Sequence, residues 1–127
     1  MSEHSHQCAL FAWARNPATL AKYPALDILE GSANGVKMSM TQAVGMKKAG
    51  MLKGSHDITL SVARKGFNGL KIELKRPAES GKPKGVISSE QLWYGDRLKQ
   101  EGWSVHYCYG WDEAKKVIEW YLSDEQQ

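Results

Sequence analysis

Strict alternation of apolar and polar side chains marks two segments of this 127-residue chain as half-buried β-strands. The first runs from Asp57 to Ala63 and the second from Leu70 to Lys75, with a turn signal at Phe67-Asn68-Gly69 between them. A short connection of this kind predicts a hairpin, so the two strands should be neighbours in one sheet. Their apolar positions predict its buried face: Ile58, Leu60 and Val62, then Leu70, Ile72 and Leu74.

The same alternation sets the positions of the polar side chains. Asp57 begins the first strand, and the triplet Glu73-Leu74-Lys75 ends the second. Two carboxylates and an ammonium on one sheet surface are the groups that can hold a divalent cation beside a phosphodiester. However, a glutamate between Lys71 and Lys75 is also typical of a plain solvated face, and the strand pattern alone favours that interpretation.

Length and composition indicate one compact α/β domain over residues 1–127, with 42% hydrophobic residues. No apolar run approaches the roughly 18 residues that a membrane span needs, and the first residues lack the order of a signal peptide. We therefore expect a cytoplasmic protein with no membrane partner. Cys8 and Cys108 lack metal-type spacing and are interpreted as small core or surface residues. The nearby His4 and His6 are expected on a mobile, solvated terminus.

The net charge of +3 is unevenly distributed along the chain. Residues 34–84 carry eleven Lys or Arg against three acids, which gives this segment +8 and leaves −5 for the remainder. Positive charge concentrated around the strand carboxylates would attract a polyanion toward them. The candidate DNA contacts in this segment are Lys37, Lys53, Arg76, Lys82 and Lys84.

The predicted element order is α-β-α-β-β-α-β-α. Besides the two strands, it comprises helix 3–14, strand 26–30, helix 38–51, a flexible loop 77–86, a helix from Ser88 to Gly102, strand 105–109 and a final helix capped by Asp112. Ser88-Ser-Glu-Gln91 fits a capping box. Gln91 would then bond the start of its own helix, or it could point toward the sheet.

Five features together resemble the virus-type replication-repair nuclease (VRR-NUC) domain, a branch of the restriction-endonuclease-like PD-(D/E)xK superfamily. They are the element order, the Asn34-Gly35 turn, and the motifs Gly54-x-x-Asp57, Glu73-x-Lys75 and Ser88-x-x-Gln91. The resemblance extends from Glu3 to Leu122 and implies a restriction-endonuclease-like core, a central mixed β-sheet flanked by helices. The chain departs from the pattern at His56 and Ala33, which stand where prolines are usual.

Hard oxygen ligands select Mg²⁺ or Mn²⁺, so Asp57, Glu73 and the Leu74 carbonyl are the candidate ligands, with Lys75 stabilising the attacking water and the phosphate charge. The resemblance adds two catalytic candidates. Glu3, in a Glu-x-x-x-Gln pattern with Gln7, would hold a second ion, and Gln91 would position the nucleophile or the phosphate. The implied activity is that of a metal-dependent endonuclease acting on branched DNA in replication, recombination or repair, in a bacterial or phage-infected cell.

Stand-alone members of that family resemble homodimeric junction-resolving enzymes, and we expect a homodimer here. Trp93, Trp103, Trp111 and Trp120 lie in the last third of the chain, where they could form an interface or fill the core. Two other functions stay open. A non-catalytic nucleic-acid-binding module would bind DNA equally with and without metal, and a small α/β interaction protein would show no salt-sensitive affinity for DNA.

Overall fold

The computed structural model describes residues 1–32, 39–52, 54 and 58–124. Its helices are α1 (Glu3–Ala14), α2 (Pro17–Lys22), a short 3₁₀ helix (Pro24–Ile28), α3 (Met40–Lys48), α4 (Ser89–Gln100) and α5 (Trp111–Leu122). Its strands are β1 (Glu30–Gly31), β2 (Ile58–Leu60), β3 (Leu70–Lys75) and β4 (Ser104–Tyr109). Within the described residues, no helix is long and apolar enough to cross a membrane.

The four strands form one mixed sheet in the order β1-β2-β3-β4. The β1–β2 and β2–β3 pairs are antiparallel, whereas β3 and β4 are parallel and joined through α4. Helices α1 and α5 pack on β3, and α4 packs on β4. The α/β class, the central mixed sheet and its flanking helices are confirmed.

The core lies between the sheet and the α1–α5 pair. The predicted alternation holds within the observed strands, because Ile58 and Leu60 and then Leu70, Ile72 and Leu74 are fully buried. The first strand was predicted to extend to Ala63, but β2 ends at Leu60, and Val62 beyond it is only partly buried. Each of the fully buried side chains contributes roughly 2 kcal/mol of hydrophobic stabilisation. The two helices meet them with Leu10, Ala14, Ala114, Ile118 and Tyr121. The opposite face of β3 is therefore left for Lys71, Glu73 and Lys75.

The strand expected at 26–30 is wrong. Pro24–Ile28 forms a 3₁₀ helix, which buries Leu26 and Leu29 three residues apart, and the strand begins only at Glu30. Proline at the start of the 3₁₀ helix has the φ angle that its first turn needs. Helix α2 was not predicted, although Asn16-Pro17 is a cap followed by an N1 proline.

The hairpin turn between β2 and β3 lies earlier than predicted. Arg64 pairs with Phe67, and the two residues between them, Lys65 and Gly66, have φ angles of 53° and 83°. Positive φ at both central positions defines a two-residue hairpin turn, which glycine favours. Asn68 instead donates its side-chain amide to the Glu101 carbonyl and fixes the end of α4.

The stretch predicted as a flexible loop contains a small hairpin. Glu79 and Lys82 exchange two backbone hydrogen bonds of 2.9 Å, and the Gly85 N–H donates to the Arg76 carbonyl at 2.8 Å. Gly81 supplies the left-handed φ of 78° at its tip. This 76–85 hairpin directly follows β3.

The bounds of α3 and α5 also differ from the prediction, and so does the environment of His6. Ser39 caps α3, which is shorter than the predicted helix 38–51, while Met38 lies outside the described residues. Helix α5 begins at Trp111, so Asp112 lies in its first turn and is not the cap. His6 is only 7% exposed, and its Nδ1 accepts the Trp111 N–H at 3.1 Å, so the expectation of a solvated His6 is wrong. Cys8 is exposed and Cys108 is buried.

Candidate active site

Glu73 is a buried charged side chain at the centre of the candidate site, and 1% of it is exposed. Its Oε1 accepts a hydrogen bond of 2.6 Å from Gln91 Nε2, and Lys75 Nζ lies 3.7 Å from the same oxygen. Lys75 is itself 11% exposed. Removing a carboxylate from water costs several kcal/mol unless it is paired and hydrogen-bonded. The interpretation of Glu73 as part of a plain solvated face is therefore wrong.

The lysines on either side of Glu73 have different environments. Lys75 pairs with Glu73, whereas Lys71 donates to Thr59 Oγ1 at 2.9 Å and lies 5.2 Å from the centre of the Trp103 ring. Burial lowers the pKa of Lys71 below its ordinary value, and the Glu30 carboxylate partly opposes that effect. The cation available to Glu73 on this strand is thus Lys75.

Gln91 has both of the roles that the sequence left open: it bonds the start of its own helix, and it points toward the sheet. In the capping box, its backbone N–H donates to Ser88 Oγ at 3.1 Å and its Oε1 accepts the Ser88 N–H at 2.8 Å. Its Nε2 is then directed at Glu73. Because the Ser88 N–H can only donate, the orientation of the Gln91 amide is determined by its partners. The cap of α4 therefore holds the amide donor against the buried carboxylate.

Gly54, the first residue of the Gly-x-x-Asp motif, lies against the first turn of α4. Its φ is 92°, and a Cβ there would lie 2.5 Å from the Glu90 carbonyl oxygen and 2.9 Å from the Gln91 nitrogen. Ile58, the residue after the motif, pairs with Ile72, the residue before Glu73. Asp57 lies outside the described residues.

Glu3 lies in the first turn of α1 and is partly buried. Gln7, on the same face one turn later, donates Nε2 to the Ser32 carbonyl at 3.1 Å. At Gly31, a Cβ would lie 2.5 Å from this Nε2, so α1 approaches the end of β1 closely. Gln7 on α1 is thus placed at the end of β1.

The five candidate DNA contacts differ in their surroundings. Lys84 lies on the 76–85 hairpin with Nζ 4.7 Å from the centre of the Tyr109 ring, and Tyr109 pairs with Lys75 across β3 and β4. Lys82 is exposed near the hairpin tip. Arg76 is half-buried, and its Nη1 is enclosed without a hydrogen-bond partner among the described residues. Lys37 and Lys53 lie outside those residues.

Sequence reasoning missed Tyr107, which pairs with Glu73 in the β3–β4 register and donates its hydroxyl to the Gln91 carbonyl at 3.2 Å. Burial raises the pKa of Tyr107 above its ordinary value, and the Asp96 and Glu73 carboxylates add to that effect. The alternation of side chains in β4 predicted which face of the sheet carries Tyr107. Its proximity to Glu73 depends on the parallel pairing, which the local sequence does not encode.

The class of fold is α/β: one four-stranded mixed sheet, with α1 and α5 packed on β3 and α4 packed on β4, carries the buried Glu73. One solved structure, described as a "VRR_NUC domain protein", matches with a TM-score of 0.76 and 24% sequence identity over 98% of this chain and 92% of that one. The chain therefore has the fold of a VRR_NUC domain protein, which the motifs predicted. No family model matches the sequence, and no curated protein matches it at a significant level.

The site residues fit a hard divalent cation in ligand type. Glu73 offers a carboxylate held in one orientation, and Leu74 beside it offers a backbone carbonyl. In the part of the chain that the structure describes, no group of three or more His, Cys, Asp or Glu could hold a metal ion. Mg²⁺ and Mn²⁺ suit such a site because they bind through one or two carboxylates and keep several waters.

Proposed function

We propose that this protein is an endodeoxyribonuclease that depends on Mg²⁺ or Mn²⁺. The observation that carries the proposal is Glu73, buried to 1% exposure and bonded at one oxygen by Gln91 with Lys75 nearby, in a chain with the fold of a VRR_NUC domain protein. A buried carboxylate with one cation nearby is a costly arrangement for a purely structural role, because well-packed apolar side chains are often at least as stabilising. A metal centre needs such a carboxylate, because the cation offsets the buried charge.

Asp57, Glu73 and the Leu74 carbonyl would hold the ion, and Glu3 would hold a second ion or its waters. Asp57 immediately precedes Ile58 in the sequence, and Ile58 pairs with Ile72, the residue before Glu73, which supports the assignment of Asp57.

A bound divalent ion supplies charge neutralisation and a water of lowered pKa. The protein's own groups then have separate tasks. Lys75 places an ammonium 3.7 Å from Glu73 Oε1, where it would stabilise charge on the phosphoryl oxygens and orient the attacking water. Gln91 keeps the Glu73 carboxylate in one orientation, so the ligand oxygen needs no rearrangement as the reaction proceeds.

We further propose that the substrate is branched DNA, cut by a homodimer in replication, recombination or repair. Lys84, held over Tyr109 beside Lys75, is placed to bind a backbone phosphate next to the site. Of the four late tryptophans, Trp103, Trp111 and Trp120 are partly buried, whereas Trp93 on α4 is 54% exposed. Trp93 is the one that supports an interface.

The test is a single incubation of purified protein with labelled duplex, flap and four-way-junction DNA in Mg²⁺, Mn²⁺ or EDTA. We expect cleavage of branched substrates with either metal and none with EDTA. Asp57→Asn and Lys75→Ala should each lower the rate by at least about 10², Lys75→Ala without loss of metal binding. Equal DNA binding with and without metal, and no cleavage in any buffer, would support the non-catalytic binding module instead.

A further inference from the structure

Tyr107 lies directly beside Glu73 in the sheet, and its hydroxyl touches the peptide that carries the Gln91 side chain. The β3–β4 register pairs the two residues, and the hydroxyl donates to the Gln91 carbonyl at 3.2 Å. Gln91 in turn donates to Glu73 at 2.6 Å. A continuous set of contacts therefore runs from Tyr107 through the first turn of α4 and back to the buried carboxylate.

The hydroxyl fits into a space that only glycine leaves open. Gly95 is buried in α4, one turn after Gln91, and a Cβ at this position would collide with the Tyr107 hydroxyl and lie 3.2 Å from Val105 Cγ1. Glycine is unfavourable in the interior of a helix, so its presence here reflects the close approach of α4 to β4. The contact between Tyr107 and Gly95 thus sets the distance between α4 and the sheet beside Glu73.

We propose that Tyr107 is a positioning residue of the active site, which acts through Gln91. Its hydrogen bond and its contact with Gly95 fix the first turns of α4, so that the Gln91 amide holds Glu73 Oε1 in the orientation that a metal ligand needs. This inference rests on the proposed nuclease function and adds a residue that belongs to none of the sequence motifs.

Tyr121 provides a matched control. Its hydroxyl also donates to a backbone carbonyl, that of Val62 at 2.7 Å, and the residue is fully buried in the core on α5. Tyr107→Phe and Tyr121→Phe should both lower the melting temperature by a few degrees, because each loses one hydrogen bond. Only Tyr107→Phe should also lower kcat, by about fivefold to tenfold, with KM for DNA unchanged.

A double-mutant cycle with Gln91→Ala tests whether Tyr107 acts through Gln91. If Tyr107 acts through Gln91, adding Tyr107→Phe to Gln91→Ala should lower kcat no further. A wild-type kcat in Tyr107→Phe, an equal loss in Tyr121→Phe, or additive losses in the cycle would each overturn the inference.

Calorimetric titration with Mn²⁺ alone keeps this inference separate from the proposed function. Tyr107→Phe should weaken Mn²⁺ binding by about threefold or more, and Tyr121→Phe should not. If the wild-type protein cleaves no DNA, the nuclease proposal fails, and the difference in Mn²⁺ affinity still decides the role of Tyr107. Equal affinities in the three proteins would contradict that role.

Discussion

Glu73 shows what a local sequence pattern determines and what it does not. Alternation placed Glu73 and Lys75 on the face opposite Ile72 and Leu74, and the structure confirms that placement. The burial of Glu73 could not be predicted, because it depends on α4 packing over β4 and on the close approach that Gly95 allows. A buried carboxylate and a solvated one have the same strand pattern, and only the tertiary contacts distinguish them.

His106 allows a residue-scale prediction outside the site. Its ring lies 5.7 Å from Trp120, and its Nε2 lies 2.8 Å from Ser104 Oγ. Burial, and to a smaller extent the Lys99 charge, lower the pKa of His106 below the usual 6.5. At His106, the unfolded chain therefore binds a proton more readily than the folded protein does. The stability that the folded protein has with a neutral His106 is complete above pH 6.5 and is lost as the pH falls through the lowered pKa of the folded state.

The expected outcome is that His106→Gln has a smaller decrease in melting temperature between pH 7 and pH 5 than the wild type. Thermal unfolding monitored by circular dichroism at both pH values provides the measurement. A parallel decrease in the two proteins would show that other groups account for the acid sensitivity.

At the scale of elements, the sequence predicted the sheet and most helices but misplaced two turns. Two-residue hairpins depend on which residues adopt positive φ, and both Lys65-Gly66 and Asn68-Gly69 carry a glycine that could do so. In the structure the turn lies at Lys65-Gly66. The side-chain amide of Asn68 donates instead to the carbonyl of Glu101, which is distant in the sequence. The 76–85 hairpin was likewise not predicted, because its sequence is rich in Gly and Pro and such a composition favours a loop.

The 76–85 hairpin leads to a prediction about DNA capture. Lys82→Ala and Lys84→Ala should each weaken DNA binding for every sequence alike and flatten the slope of log affinity against log salt by up to roughly 1. Lys22→Ala is the matched control, since Lys22 lies over the Tyr23 ring at 5.3 Å as Lys84 lies over Tyr109, but on α2. Fluorescence anisotropy over a range of salt concentrations measures the slopes. A slope unchanged by either hairpin variant would mean that these lysines face away from the substrate.

For the whole molecule, the contacts of one site extend over most of the chain. β3 supplies Glu73 and Lys75, the cap of α4 supplies Gln91, and the segment after α3 places Gly54 against that cap. Residues so far apart in sequence meet only in the complete fold. The candidate site therefore depends on tertiary contacts between motifs that lie far apart in the sequence.

The oligomeric state is a prediction at this scale. Two sites facing one junction would come from an isologous dimer, and Trp93 is the exposed aromatic residue that supports its interface. We expect light scattering at micromolar concentration to give twice the 14.2 kDa of one chain, and Trp93→Glu to give a monomer. Ile28→Glu, at a similarly exposed apolar residue of the 3₁₀ helix, should remain dimeric. A monomeric wild type in the presence of junction DNA would indicate a single-site flap or nicking nuclease.

The most direct measurement of nuclease function compares Glu73→Gln with Glu101→Gln on a labelled four-way junction in Mn²⁺. Glu101 is an exposed carboxylate on the C-terminal end of α4, paired with Arg97, so its substitution controls for a lost negative charge away from the site. We expect Glu73→Gln to lower the cleavage rate by at least about 10² while its circular dichroism stays that of a folded protein, and Glu101→Gln to cleave like the wild type. Near wild-type cleavage by a folded Glu73→Gln protein would contradict the assignment of Glu73 as the ligand at the centre of the site.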